Sequence, residues 1–236
     1  MNEKEVIQKI EKDSVDSVTP IEWQAVSWSG NLSEKFIKEY EDHLDWRLVS
    51  LNENISLPES FIEEYSDKLD WDGILHTQNL SEEFIEKYGH IVNWETVSMS
   101  GLPLSEEFIE RNSDKLNWDF ISVHHSLPEP LIEKFSDKVH WTRISHYQTL
   151  SEEFIEKYSD KVDWHFISAF QKLSEEFIEK FSDKVDWDMI MTHQDHLTES
   201  FIEKHFDKAD WEFVEKRRKN YKEKSEKAVK NIKISR

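Results

Sequence analysis

The sequence predicts an all-α protein, an αα-hairpin tandem-repeat solenoid, on three regularities. Tryptophan recurs as Trp23, Trp46, Trp71, Trp94, Trp118, Trp141, Trp164, Trp187 and Trp211, at spacings of 23 to 25 residues. A leucine precedes the last eight of these by a constant 14 residues, as Leu32, Leu57, Leu80, Leu104, Leu127, Leu150, Leu173 and Leu197. All length variation falls in the 9 to 11 residues from one Trp to the next Leu. Stacked supersecondary units have this signature, because loops tolerate added residues and packed helices do not.

The unit from Leu150 to Phe170 shows how each element arises. Ser151 is a helix-start residue, replaced by Pro58 and Pro128 in two other units. Phe154, Ile155, Tyr158 and Val162 then recur at helical spacing and give a first helix of about ten residues with one apolar stripe. Ser159-Asp160-Lys161 reads as a turn. Asp163 caps a second helix of about seven residues that opens with Trp164 and runs through Phe166 and Ile167. Four residues after the Leu stands Phe in seven of eight units, with Leu131 the exception, and the next residue is always Ile. Helices this short do not hold alone in water, so the units must bury a shared Trp/Phe/Ile core by stacking.

Three segments follow. Residues 1–31 form an N-terminal cap and partial repeat, in which Thr19 to Trp23 matches only the second helix of the unit. Residues 32–214 hold the eight-unit array. Residues 215–236 form a basic helix or tail that closes it through Val214, Tyr221 and Val229.

Charge divides the same way. From Glu215 onward ten Lys/Arg face three Glu, a net of +7; subtraction from 30 basic and 50 acidic residues leaves 20 and 47, a net of −27. The acidic body repels nucleic acid and anionic membranes, and only the tail 216–236 can attract either. The absence of Cys excludes disulfides, thiolate metal sites and a cysteine nucleophile. A charged N-terminus and no apolar run of membrane-spanning length lead to the expectation of a cytoplasmic protein.

The run Leu-Ser-Glu-Glu-Phe-Ile-Glu-Lys-Tyr-Ser-Asp-Lys-Val-Asp-Trp, Leu150 to Trp164, resembles uncharacterised short αα repeats of bacteriophage and giant-virus proteins. The likeness covers residues 32 to 214. It carries no activity, but it implies a viral origin and a protein that acts on a host component. Asn112 and His205 replace the aromatic after the Ile, and Ala209 replaces Leu or Val, so looser packing is expected there.

No phosphate-binding glycine loop, nucleophile elbow or distinguishable carboxylate pair is present, so no catalytic residue, cofactor or metal site is assigned and the chain reads as a non-enzyme. His193 and His196, with Asp195 between, could ligate a metal only with help from a neighbouring joint. Comparing units within the chain instead points to the joints. The core positions are nearly fixed, whereas the joints vary and are rich in His, Tyr, Phe and Gln. A partner-binding edge of exposed residues is therefore expected at His76, Gln78, His124, His125, His146, Tyr147, Phe170, His193 and His196. It predicts an interaction scaffold that inhibits or sequesters a host defence protein.

The alternative is an acidic ribbon. The residue two after each repeat Leu is always Glu, and four further on it is Glu in all but the first unit. Columns through Glu82, Glu86, Glu152, Glu156, Glu175 and Glu179 could imitate a phosphate backbone and occupy a nuclease or other nucleic-acid-binding protein. Units stacked about 10 Å apart carry roughly one charge per 3 Å, against about one per 1.7 Å in duplex DNA, which is a dilute imitation.

Overall fold

A computed structural model describes residues 2–216, and among them every regular element is a helix. The basic segment 217–236, with its expected contacts through Tyr221 and Val229, lies outside the described residues. The chain divides into two compact units, one ending at His125 and the other starting at Ser126, so the break falls at the joint between the fourth and fifth repeats. No helix among the described residues is long and apolar enough to cross a membrane.

Each repeat is the expected helix pair, with a shorter first helix. That helix has six residues, as in Glu152–Lys157, where Ser151 Oγ accepts the Phe154 N–H. Pro58 and Pro128 occupy the same N-cap position without a side-chain bond. The helix ends at Tyr158, whose ring packs on Phe154 at 4.8 Å and on Trp141 of the preceding repeat at 4.9 Å. A turn follows and is closed by the Trp itself: Trp164 Nε1 donates to Ser159 O at 2.9 Å, and Trp71 to Ser66 O at 3.0 Å. Asp163 then caps the second helix, Trp164–Phe170.

The Trp covers the next repeat. In the first unit Trp71 stacks at 6.2 Å on Phe84 and meets Tyr88 at 4.8 Å; in the second Trp164 does the same with Phe177 and Phe181. A lysine of that next repeat lies over the ring, Lys68 over Trp46 at 5.4 Å and Lys184 over Trp164 at 5.7 Å. Asn112 and His205 do not loosen the stack. Asn112 is buried and its amide donates to Glu86 Oε1 at 2.8 Å and to Phe108 O at 3.1 Å, while Lys115 moves to 4.5 Å from Trp94. His205 stacks on Trp187 at 4.7 Å.

At the N-terminus, helix Glu3–Lys12 precedes Pro20–Ser29, so the partial repeat of the sequence has a first helix after all. Its Glu3 carboxylate accepts from Ser33 N and Oγ, and Val6 is its buried anchor.

Except where Leu75 and Met191 stand, a fully buried serine four residues after the Trp ties a second helix to the next. Ser168 Oγ donates to Trp164 O at 2.6 Å and accepts the Asp186 N–H at 2.9 Å; Ser145 treats Trp141 O and Asp163 N in the same way. In the first unit Ser27, Ser50 and Ser98 do so for Asp45, Asp70 and Asn117. A hydroxyl suits this place because it is donor and acceptor in one small group. Ser168→Ala strands the Asp186 N–H in the core, and urea titration should show a loss of about 1–3 kcal/mol; a stability within error of the parent would refute the relay.

Candidate functional site

The joints divide into a buried tie and an exposed face. Gln78 and His125, expected on the binding edge, are corrected here: they are only 6% and 7% exposed. Gln78 Oε1 accepts the Leu57 N–H at 2.8 Å and its Nε2 donates to Ile55 O at 3.1 Å, so it fastens its joint to the previous one. In the second unit Gln148 accepts from Leu127 N, Gln171 joins Leu150 N to Gln148 O and Ser145 O, and Gln194 joins Leu173 N to Gln171 O and Ser168 O. His125 holds this position in the first unit with Nε2 2.9 Å from Ser98 O. Burial pushes its imidazole below the ordinary value, which keeps it neutral. These groups sit inside because a joint between stacked helices leaves backbone N–H and C=O groups that water cannot reach.

The remaining joint residues are more open. His76 and His124 are exposed in the first unit, His76 with Nδ1 2.8 Å from Asp72 O and His124 6.1 Å from Phe120. In the second unit His146 lies against three rings, Tyr147 at 4.1 Å, Phe170 at 4.4 Å and Phe166 at 4.6 Å, stacked on the last within 9°. Tyr147 and Phe170 are each 53% exposed. His193 meets Phe170 at 6.2 Å and extends the row onto the next helix. His196 is exposed and bonded through Nε2 to Leu173 O at 2.7 Å.

Two members were missed from the sequence. Phe166, placed by the sequence only within the second helix, lies four residues from Phe170 and two from Trp164, on the side of the helix away from Ile167 and Ser168. His165 pairs with Asp186 across the repeats, Nδ1 to Oδ2 at 2.7 Å. The i, i+4 spacing of Phe166 and Phe170 was the available signal.

The acidic columns are engaged within the fold, which corrects their reading as a free ribbon of charge. Glu82, Glu152 and Glu175 each accept the N-cap N–H of the next repeat, from Ser105, Ser174 and Thr198. Glu86, Glu156 and Glu179 pair with Arg111, Lys180 and Lys204 at 3.0, 2.6 and 2.5 Å. The Asn112 amide and the Arg111 guanidinium hold Glu86 below the usual carboxylate range, and Lys204 and His205 do so for Glu179.

Among the described residues no three His, Asp or Glu side chains gather in a metal-binding arrangement. His193 Nδ1 and His196 Nε2 each point instead at a backbone carbonyl. No family model, curated protein or solved structure matches the chain.

Two tests follow from this division. Gln171→Leu leaves one N–H and two carbonyls unpaired and should lower unfolding free energy by about 2 kcal/mol or more, whereas Phe170→Ala should change it by less than about 1 kcal/mol; urea titration compares them. Acid tests the carboxylates. With the folded values depressed, their stabilisation is present above the unfolded carboxylate value and is lost as pH falls through the folded one. The melting temperature should therefore fall between about pH 5 and pH 3, and less steeply in an E86Q/E179Q variant.

Proposed function

We propose that the chain is a non-enzymatic interaction protein that binds a partner protein through the aromatic and imidazole face of its second unit. One observation carries this reading: Tyr147 and Phe170, each 53% exposed, lie in one continuous set of rings with His146 and Phe166. Trp28 and Phe206 are exposed to a similar degree, 53% and 58%, and Phe206 lies against Trp211 at 4.6 Å; what sets Tyr147 and Phe170 apart is the set of four rings they share with His146 and Phe166. Aromatic side chains on a charge-poor surface are what distinguishes the centre of a protein interface from the general surface, because they supply contact area at low entropic cost.

Charge distribution agrees. The first helices of the second unit carry the acidic runs, such as Glu152-Glu153 and Glu175-Glu176, while helix Trp164–Phe170 contains no Asp, Glu, Lys or Arg. The viral resemblance of the repeat extends the proposal to a host protein, defence factors included, that is sequestered in the host cytoplasm. Imitation of nucleic acid is the weaker reading, since Glu82, Glu152 and Glu175 are committed to the next N-cap.

Affinity capture from host lysate with three proteins tests this. Y147A/F170A should lose the captured partner while keeping the parent melting temperature, and charge reversal at Glu153 and Glu176 should leave capture in place. The opposite pattern would transfer the function to the acidic face.

A further inference from the structure

Second helices in the first unit meet the preceding one through one side. Gly73, two residues after Trp71, lies so near Ser50 that a Cβ there would stand 3.1 Å from it, and Thr77 Oγ1 donates to Ser50 O at 2.8 Å. Thr96, two residues after Trp94, donates to Asp72 Oδ1 at 2.7 Å. On helix Pro20–Ser29 that place, two residues after Trp23, is held by Ala25. Ile21 and Trp28, four residues before it and three after, share its side of the helix. Both are open, at 78% and 53% exposure, and Ile21 is the most exposed large apolar residue among the described ones. This helix is also longer than the other second helices of the unit, ten residues against five to seven, and the added turn at its start carries Ile21.

We infer that this side of helix Pro20–Ser29 pairs with its equivalent on a second copy of the chain, antiparallel and across a two-fold axis at Ala25. Three observations select that occupant. This is the side on which the fold sets one second helix against another, so a second copy continues a contact the chain already makes. Ile21 and Trp28 flank Ala25 at about 6 and 4.5 Å along the helix axis. Antiparallel pairing therefore lays Trp28 of each copy over Ile21 of the other, and the small Ala25 lets the backbones approach at the crossing. Charge is the third. At a net of −20 two copies repel one another, but the one charged residue of this helix is Glu22, which Lys9 Nζ holds at 2.7 Å. An uncharged side offers a cationic segment nothing to pair with and lets a like-charged copy approach. Two large side chains per copy fall short of the roughly 800 Å² per partner of a stable interface, so the pairing is weak, with a Kd on the order of 10–100 µM.

Sedimentation velocity on the full chain, from about 5 to 500 µM, tests the pairing. The chain should pass from monomer to dimer over that range, and raising salt from about 50 to 500 mM should increase the dimer fraction by screening the repulsion. I21E/W28E should weaken dimerisation at least about tenfold at the parent melting temperature, and W28Q, which adds no charge, about fivefold or more. Y147A/F170A alters the other second helix without an acidic or basic residue, Trp164–Phe170, and should dimerise like the parent. A25C supplies the one thiol of the chain, and bismaleimidoethane should link two copies through it. A monomer at every concentration overturns the inference. So does association that weakens with salt, that ignores both Ile21 and Trp28 variants, or that is lost in Y147A/F170A. A dimer that needs Trp28 but leaves A25C unlinked overturns the two-fold pairing.

Discussion

A six-residue helix closes very few of its own hydrogen bonds, and this shortage governs the whole molecule. In Glu152–Lys157 the caps contribute only the bonds from Ile155 N to Ser151 O and from Tyr158 N to Phe154 O, so most terminal groups need partners elsewhere. An isolated helix of this length would melt in water. The neighbouring repeat supplies what is missing. Glu152 accepts the Ser174 N–H, Ser145 accepts the Asp163 N–H, and Gln171 reaches back to Leu150 N and Gln148 O. No buried side-chain nitrogen or oxygen among the described residues is left without a partner.

These ties run in both directions along the chain, which explains the constancy of the spacing better than apolar packing does. A Leu, Phe or Ile core tolerates a shift of an ångström by repacking. A 2.6 Å hydroxyl bond from Ser168 to Trp164 O, combined with a 2.9 Å bond from Asp186 N, does not. The Trp is held at both ends of its role: its N–H closes its own turn, and its ring is covered by the aromatic residues and lysine of the next repeat. Inserting a residue between Leu150 and Trp164 would break several of these at once, whereas an insertion between Trp46 and Leu57 only lengthens a joint.

Much of this was legible in the sequence. The Leu and Trp periods marked the repeat, and the caps at Ser151 and Asp163 fell where the residue types placed them. What periodicity cannot show is why a position is constant. The Glu two residues after each Leu reads as a column of surface charge, yet at Glu59, Glu82, Glu129, Glu152 and Glu175 it is the acceptor for the following N-cap. Gln78 and His125 read as exposed edge residues from the sequence, yet they share with Asn52 the ability to bond buried backbone. Asn112 was read as a packing defect since its apolar area is small, but its amide satisfies two acceptors that a Tyr would not reach. Polar residues with buried duties are the ones a hydrophobic pattern misassigns.

Accounting for these duties also narrows what remains free to evolve. In the second helix the Trp and the residues three, four and seven after it face the core, as Trp164, Ile167, Ser168 and Gln171 do. The position one after the Trp is exposed at Arg47, Asp72, Glu95, Asp119 and His165, and the position six at His124, Tyr147 and Phe170, whereas the position two is buried at Gly73, Thr96 and Met189. In the first unit these three positions hold Asp72, Gly73 and Thr77, and in the second they hold His165, Phe166 and Phe170, on the same frame. Stability therefore does not select the ring cluster of the second unit: its two most exposed rings stabilise little by burial, and each exposed ring raises the tendency to associate. A surface that the fold neither needs nor gains from, yet which places Tyr147, His146, Phe166 and Phe170 in mutual contact, is best explained by what it meets outside the chain.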